Sequence, residues 1–486
     1  MSVKQRKIRK VLIANRGEIA LRIIRTVKEL DLEAIAVYEK PDSESNYIRS
    51  ADDAIMIGDR PRKEYLDIDK IIWAARKSEA DAIHPGYGFL SENADFSEAC
   101  EKAGIIFIGP PPQVIRDMGN KVVARGIMEK AGVPTIPGTG DLAPGEAGIL
   151  QAKEFAEKYG YPLMLKAAAG GGGRGIRKIA NWEELKIQLP LVRAETRTAF
   201  NDDRIYIEKC IESPRHIEIQ ILADYHGNVI HLGSRDCSIQ RRHQKLLEIA
   251  PADLPPNVLE AMYDAAIKGA KQAGYVNAGT VEFLVDSKTD EFWFMEMNTR
   301  LQVEHTVTEE LTGVDIVRQQ IRIAEGNVLD IPAERVHMLG KAVQVRINAE
   351  DPKNNFMPEG GKTLEVYHSP GGPGVRLDGV VYQGYRIPTD YDSLMVKMTV
   401  RGYNWEQTIQ RLKRSLNNFL IVGPKTTIPF YLAICDEPDF QAGKFDTSYL
   451  ETHQQLFEYP EQEREVAKLT KLIAEIHARA MNPYAY

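Results

Sequence analysis

The sequence predicts a multidomain chain, α/β at its N-terminus and α+β beyond it, and three observations carry that reading. Short apolar runs alternate with helix-period stretches through the N-terminal segment, the pattern of a parallel sheet with crossover helices. A stretch rich in Gly, Pro and Asp, Gly138 to Gly148, reads as a linker into a separate unit. A length of 486 residues leaves room for about two to four domains with ample core.

In chain order, Val11-Leu12-Ile13-Ala14 reads as a buried strand and Asn15-Arg16-Gly17 as a turn into a helix. Ile19, Ile23, Ile24, Val27 and Leu30 mark that helix's apolar face. The strand Ala34-Ile35-Ala36-Val37-Tyr38 follows at once, completing a βαβ unit. The alternation continues through a strand at Ala54 to Ile57, a helix near Ile68 to Lys77, and strands at Ala82-Ile83-His84 and Ile105 to Ile108. Open α/β sheets bind ligands in the loops after their strands, and the glycine-rich stretch His84 to Asn93 is such a loop.

Beyond the linker, Tyr161 to Lys166 reads as an edge-type strand running into Ala167-Ala168-Ala169-Gly170-Gly171-Gly172-Gly173-Arg174-Gly175. Gly170, Gly172 and Gly175 match G-x-G-x-x-G formally, but that fingerprint opens a helix. Here Ile176-Arg177-Lys178-Ile179 reads as another strand, which places the glycines at a hairpin tip. Flanked by Lys166 and Arg174, such a tip suits a lid over phosphates, with a plain flexible linker as the alternative. Tyr206 to Ile211 reads as a strand in a hinge-like position that suits an adenine pocket, and His216 lies in an alternating strand ending near Leu222. Arg235 to Lys245 packs four cations and His243 into one short stretch, either a solvated basic loop or an anion site. Thr306 to Glu309 caps a helix expected to run to Gly326, and Arg346 lies on a strand between Val345 and Ile347, aimed inward.

The stretch Glu291 to His305 is the most informative. From Glu296 every second residue is polar (Glu296, Asn298, Arg300, Gln302, Glu304), so an extended strand would line one wall with all five. A half-buried strand with a wet face is the bland reading. The order of the groups argues against it, with two hard oxygen donors preceding a guanidinium, an amide and a carboxylate. The strand Thr280 to Val285 precedes a turn-rich stretch, and a hairpin with a three-residue loop would set Glu282 across from Glu296. Facing carboxylates need a cation or a proton between them, and Glu282, Glu296 and Asn298 offer hard oxygens without His or Cys. That is a divalent-cation site of the Mg2+ (or Mn2+) type.

The totals exclude other classes. A net charge of -7 argues against nucleic-acid binding by bulk charge. The basic start, Lys4 to Lys10, lacks an apolar segment of signal-peptide length and a cleavage site, and is not expected to be a secretory signal. No apolar run has membrane-spanning length. Cys100, Cys210, Cys237 and Cys435 are scattered without a CxxC pair, which points to a reducing, cytoplasmic setting and no structural zinc.

Together these pieces resemble the biotin carboxylase component of biotin-dependent carboxylases, a member of the ATP-grasp superfamily. The resemblance is carried by Ala14 to Ala20, His84 to Asn93, the glycine tip, Arg235 to Lys245, Glu296 to His305 and Arg346 to Asp351, in family order over roughly Arg9 to Asp446. It implies a Rossmann-like domain over 1–118, an ATP-grasp domain over 119–334 with a lid at about 138–206, a C-terminal mixed α/β domain over 335–450 and a helical tail over 451–486. It further implies that ATP is held by Lys121, Lys166, Gly171, Gly172, Gly173, Glu208, Lys209, Ile211, His216, Gln240, His243, Leu284, Glu282 and Glu296, with Glu282, Glu296 and Asn298 on the metal. Bicarbonate would meet Lys245, Arg300, Gln302 and the Val303 backbone, with Glu304 as general base. Tyr87 would help place biotin, and Arg346 would stabilise its enolate.

The chain departs from the family pattern at Gln344-Val345, where many members carry Glu-Cys, and at Thr389 to Asp392, where a run with two tyrosines is usual. Biotin-bearing domains carry Ala-Met-Lys-Met on a hairpin tip. Val396-Lys397-Met398 is only a weak echo inside a strand, so biotin is expected on a second polypeptide, a carrier protein or a biotinylated carboxyltransferase subunit. The closing region looks most like the stand-alone biotin carboxylase chain of two-subunit pyruvate or 2-oxoglutarate carboxylases, an acyl-CoA carboxylase being the alternative. A homodimer is the family expectation. Another ATP-grasp ligase forming an acyl-phosphate would share the lid and metal site but not need Arg346. A nucleotide sensor would predict a broken base or metal set, whereas Glu304, Glu282, Glu296 and Asn298 are all present.

Overall fold

In the computed structural model the described residues are 5–168, 175–200, 202–242, 244–331, 336 and 338–459. Five parallel strands form the N-terminal sheet, in the order Asp53–Gly58, Glu33–Glu39, Lys10–Ile13, Ala82–His84, Ile106–Phe107. Val11 and Ile13 pack with Ile19, Ile23, Ile24 and Val27 of the helix Gly17–Glu29, while Leu12 packs on the other face with Ile71, Ala74 and Ala75 of the helix Ile68–Lys77. Burial on both faces is why these strands read as unbroken apolar runs.

A small antiparallel sheet follows, with Leu163–Ala167 between Ile176–Ile179 and Ile205–Lys209. The strand expected at an edge is thus the central one. Its pairing with Ile176–Ile179 is the expected hairpin, whose glycine tip, including Gly171, Gly172 and Gly173, lies outside the described residues. Thr135 bridges to Phe294 and Gly138 to Glu208, so the segment between them ties this sheet to the large one.

The large sheet has eight antiparallel strands, in the order Phe292–Asn298, Asn277–Val285, Arg215–Ala223, Val229–Asp236, Leu247–Ala250, Lys341–Asn348, Leu394–Gly402, Val375–Gly379. It is continuous across the expected domain division near 334, so groups on either side of that division share one surface. The helix Trp405–Asn418 covers it with Ile409, Leu412 and Leu416. The helix expected from Thr306 to Gly326 is two, His305–Thr312 and Ile316–Ala324, broken at Gly313 in the left-handed region and restarted by the Asp315 side chain accepting from the Arg318 amide. Of the tail expected over 451–486, the described part holds the end of a short helix, Tyr449–Thr452, and a 3-10 turn, Gln454–Phe457. Residues 460–486 lie outside the description. Among the described residues no helix is long and apolar enough to cross a membrane.

Candidate active site

Antiparallel pairing puts Arg235, Glu218, Glu282 and Glu296 directly opposite one another across four adjacent strands. The Glu282–Glu296 pairing agrees with the sequence reading, by a different route. The loop between the strands is 286–291, and a bulge between Glu282 and Phe283 restores the register. The wall of alternating polar residues is shorter than expected. The strand ends at Asn298, and Glu304 is the N-cap of the next helix. Side-chain contacts nevertheless bring the remaining groups back to the same cluster.

Three carboxylates in a row repel one another, and two cations answer them. Arg235, wholly buried, pairs with Glu218 and donates to Gln220, Thr308 and Thr280 at 2.8, 2.9 and 3.0 Å. Lys245, from the hairpin Gln240–Arg241 and Gln244–Lys245, sets Nζ 2.5 Å from Glu218, 2.9 Å from Glu282 and 2.7 Å from Glu304. Burial works against the ammonium, but these three carboxylates outweigh it and hold Lys245 well above its ordinary range. Burial likewise opposes charge on Glu304. Lys245, Arg346 and Arg235 reverse that and hold its carboxyl below the usual range, so it is ionised at neutral pH.

Arg346 Nε donates to Glu248 Oε1 at 2.9 Å, its Nη2 contacts the same oxygen, and Nη2 lies 3.4 Å from Glu304 Oε2. Gln344 Nε2 donates to the other Glu248 oxygen at 2.9 Å, so Arg346 is held by a fixed carboxylate. Arg300 donates to Asn298 Oδ1 at 3.0 Å, Gln302 Oε1 at 2.9 Å and Glu92 Oε2 at 2.7 Å. Gln302 Nε2 closes the circuit on Glu282 Oε1 at 3.2 Å.

On the nucleotide side, His216 Nε2 lies 2.8 Å from Glu282 and its Nδ1 2.6 Å from Gln240 Nε2. Leu284 stands across from His216 on the same face. Lys166 Nζ is 2.5 Å from Glu208 on the small sheet, beside exposed Lys209 and half-buried Ile211. Lys121 Nζ is 3.9 Å from Glu296. Tyr87 donates its hydroxyl to Glu18. His243 lies outside the described residues.

The donor set fits a hard divalent cation. Burial first, then the charge of Glu282, push Glu296 upward, less so for the 39% of its side chain still exposed, and a cation between the two would relieve both effects. Asn298 presently turns Nδ2 to Glu282 Oε1, 2.7 Å away, and Oδ1 to Arg300. Its oxygen has a second lone pair with which it could join such an ion beside Arg300. Sequence reasoning missed Glu218, Glu248 and Glu92. The signal for the first was present, because His216, Glu218 and Gln220 alternate with Ile217, Ile219 and Ile221.

Comparison with known proteins agrees with this construction. Family models match in tandem: the biotin carboxylase N-terminal domain over 7–115, the carbamoyl-phosphate synthase L chain ATP-binding domain over 120–332, and the biotin carboxylase C-terminal domain over 344–452. Biotin carboxylase 1 of Bacillus subtilis is 48% identical over 92% of this chain and 99% of that protein. The 2-oxoglutarate carboxylase small subunit of Hydrogenobacter thermophilus is 47% identical over 96% and 99%. The chain spans only 42% of the Bacillus subtilis pyruvate carboxylase that it also matches. A crystal structure of the Hydrogenobacter thermophilus 2-oxoglutarate carboxylase biotin carboxylase domain dimer, with MgADP, ADP and bicarbonate, superposes with a TM-score of 0.89 at 48% identity, covering 94% of this chain and all of that one. With the same three parts in the same order, and near-half identity along the full length of such proteins, the chain belongs to the biotin carboxylase family.

Proposed function

We propose that the chain carboxylates N1 of biotin at the expense of ATP and bicarbonate, with the biotin carried on a separate protein. The single observation that carries this is Glu304, an ionised carboxylate fixed between Lys245 and Arg346 and joined through Lys245 to an acidic row suited to a metal–nucleotide. Bicarbonate would bind against Lys245, Arg300, Gln302 and the Val303 backbone, and Glu304 would take its proton. A carboxylate this acidic keeps that proton only as Lys245 and Arg346 turn part of their hydrogen bonding to the incoming anion. The resulting oxyanion attacks the γ-phosphate, ADP leaves, and carboxyphosphate breaks down to CO2 and phosphate. That phosphate takes the proton from biotin N1, and Arg346, held by Glu248, stabilises the enolate as N1 attacks CO2. A divalent cation between Glu282 and Glu296 would neutralise phosphate charge.

The division at about 118, 334 and 450 is supported by the tandem family matches. A carrier on a second chain, as in two-subunit pyruvate or 2-oxoglutarate carboxylases, is supported by the near-complete match to a small subunit, and a homodimer by the dimeric relative. Four free cysteines support a reducing cytoplasm. The test is transfer of labelled carbon from bicarbonate to free biotin. An acid-labile product requiring MgATP is expected, and no labelled product would sink the proposal.

A further inference from the structure

Lys397 stands directly across from Arg346 on adjacent antiparallel strands, with Asp378 across from it on the other side. Two cations face to face on one sheet surface repel, and each has its own acid. Arg346 takes Glu248, while Lys397 takes Glu18 of the first helix, with Nζ 3.1 Å from Oε2. The Lys397 side chain is wholly buried, a costly place for an ammonium unless its protons are used. Its other partner is a backbone group, the Val303 carbonyl, to which Nζ donates at 3.0 Å. The preceding carbonyl, of Gln302, is held by His305 Nδ1 at 2.8 Å. Two successive carbonyls are thus pinned in the turn that aims Gln302 at Glu282 and Glu304 at Lys245.

Glu18 ties in the far wall as well. It accepts the Tyr87 hydroxyl, and the Tyr87 ring centroid lies 5.5 Å from Lys397 Nζ. The Tyr87 loop is itself anchored by Asn15 Nδ2, which donates to the carbonyls of Pro85 and Tyr87 at 2.7 Å each. One ammonium therefore joins the first helix, the loop after the strand Ala82–His84 and the turn before Glu304.

We propose that Lys397 is a positioning residue for this site, acting through the Val303 carbonyl and, by way of Glu18, through Tyr87, so that the anion-facing turn and the tyrosine loop are set as one unit. The proposal rests on the carboxylation reading above. It is tested in the full chain with the double variant Lys397→Met, Glu18→Gln, which removes both charges at nearly constant volume and leaves neither buried and unpaired. KM for bicarbonate and for free biotin should each rise about tenfold, the worth of one charge-assisted hydrogen bond, with KM for MgATP within about twofold. Lys397→Arg alone, which retains a cation beside Glu18, should recover part of the bicarbonate KM. A parallel rise in all three KM values means that the pair only supports folding, and unchanged bicarbonate and biotin KM values mean that the turn does not need Lys397. Either result overturns the proposal. If wild-type protein shows no dependence on bicarbonate or biotin, it is the carboxylation reading that fails. Amide exchange over 301–305 then still decides the structural part, with faster exchange expected in the double variant and unchanged exchange refuting it.

Discussion

Glu304→Gln separates the roles that the site combines. The substitution keeps size and shape but removes the proton acceptor. It leaves no cation stranded, because Lys245 retains Glu218 and Glu282, and Arg346 retains Glu248. The stability loss should therefore be about 1–3 kcal/mol, that of a weakened charge-assisted hydrogen bond, rather than the 3–5 kcal/mol or so of an orphaned buried charge. Nucleotide affinity should hold, since none of the proposed nucleotide-side groups hydrogen-bonds to Glu304 among the described residues. Bicarbonate-dependent ADP formation should fall by about two decades or more, on the order of 3 kcal/mol in activation free energy. Calorimetric titration with MgATP and a coupled ADP assay on the same preparation read the two sides. Near-full activity would show that Glu304 is not the base, and a matching loss of nucleotide binding would show that the two halves of the site are not separable.

Three further outcomes follow from the same contacts. Lys245→Met removes an ammonium shared by three carboxylates and should cost about 3–5 kcal/mol at pH 7, partly regained at pH 5 as a carboxylate takes up a proton. Urea denaturation at the two pH values checks this, and a pH-independent loss contradicts it. Glu282→Gln should raise the Mg2+ concentration giving half-maximal ADP release about tenfold or more, and an unchanged midpoint removes Glu282 from the metal site. Burial, opposed by Lys397, raises Glu18 to about 7, so the folded state binds a proton that the unfolded state has released above its ordinary pKa. That contribution to stability is full below pH 4 or so and is lost by about 3 kcal/mol as pH rises through 7. Denaturation of wild type and Glu18→Gln from pH 5 to 8 should show their difference drifting in favour of the variant by about 2.5 kcal/mol of that total, and a constant difference refutes the assignment.

The parallel N-terminal sheet was legible because doubly buried strands leave apolar runs and their crossover helices leave a clear face, as with Val11 to Ile13 and Ile19 to Val27. The Glu282–Glu296 pairing was legible from alternation, although the loop length was not, because a bulge offsets one residue without disturbing the pattern on either side. Alternation misled beyond Asn298. A polar residue at every second place is equally compatible with a strand that ends and a turn whose side chains fold back, as Arg300 does onto Asn298 and Gln302. The break at Gly313 had a local signal, a glycine stop followed by the Asp315 cap, which the apolar periodicity on both sides masked. Glu248, and Glu218 despite the visible alternation of its strand, were missed for a different reason. An acid in an apolar strand becomes a site residue only when a cation from a distant segment meets it, and Lys245 and Arg346 arrive through pairings that no local pattern encodes.

The most direct test of the account is ADP release from the purified chain with MgATP, scanned over bicarbonate with and without free biotin. The arrangement of Lys245, Arg300, Glu304 and Arg346 around one carboxylate-lined site predicts release that needs all three ligands together. Release indifferent to bicarbonate and biotin would contradict it, leaving a nucleotide-hydrolysing core whose Glu304 and Arg346 serve some other substrate.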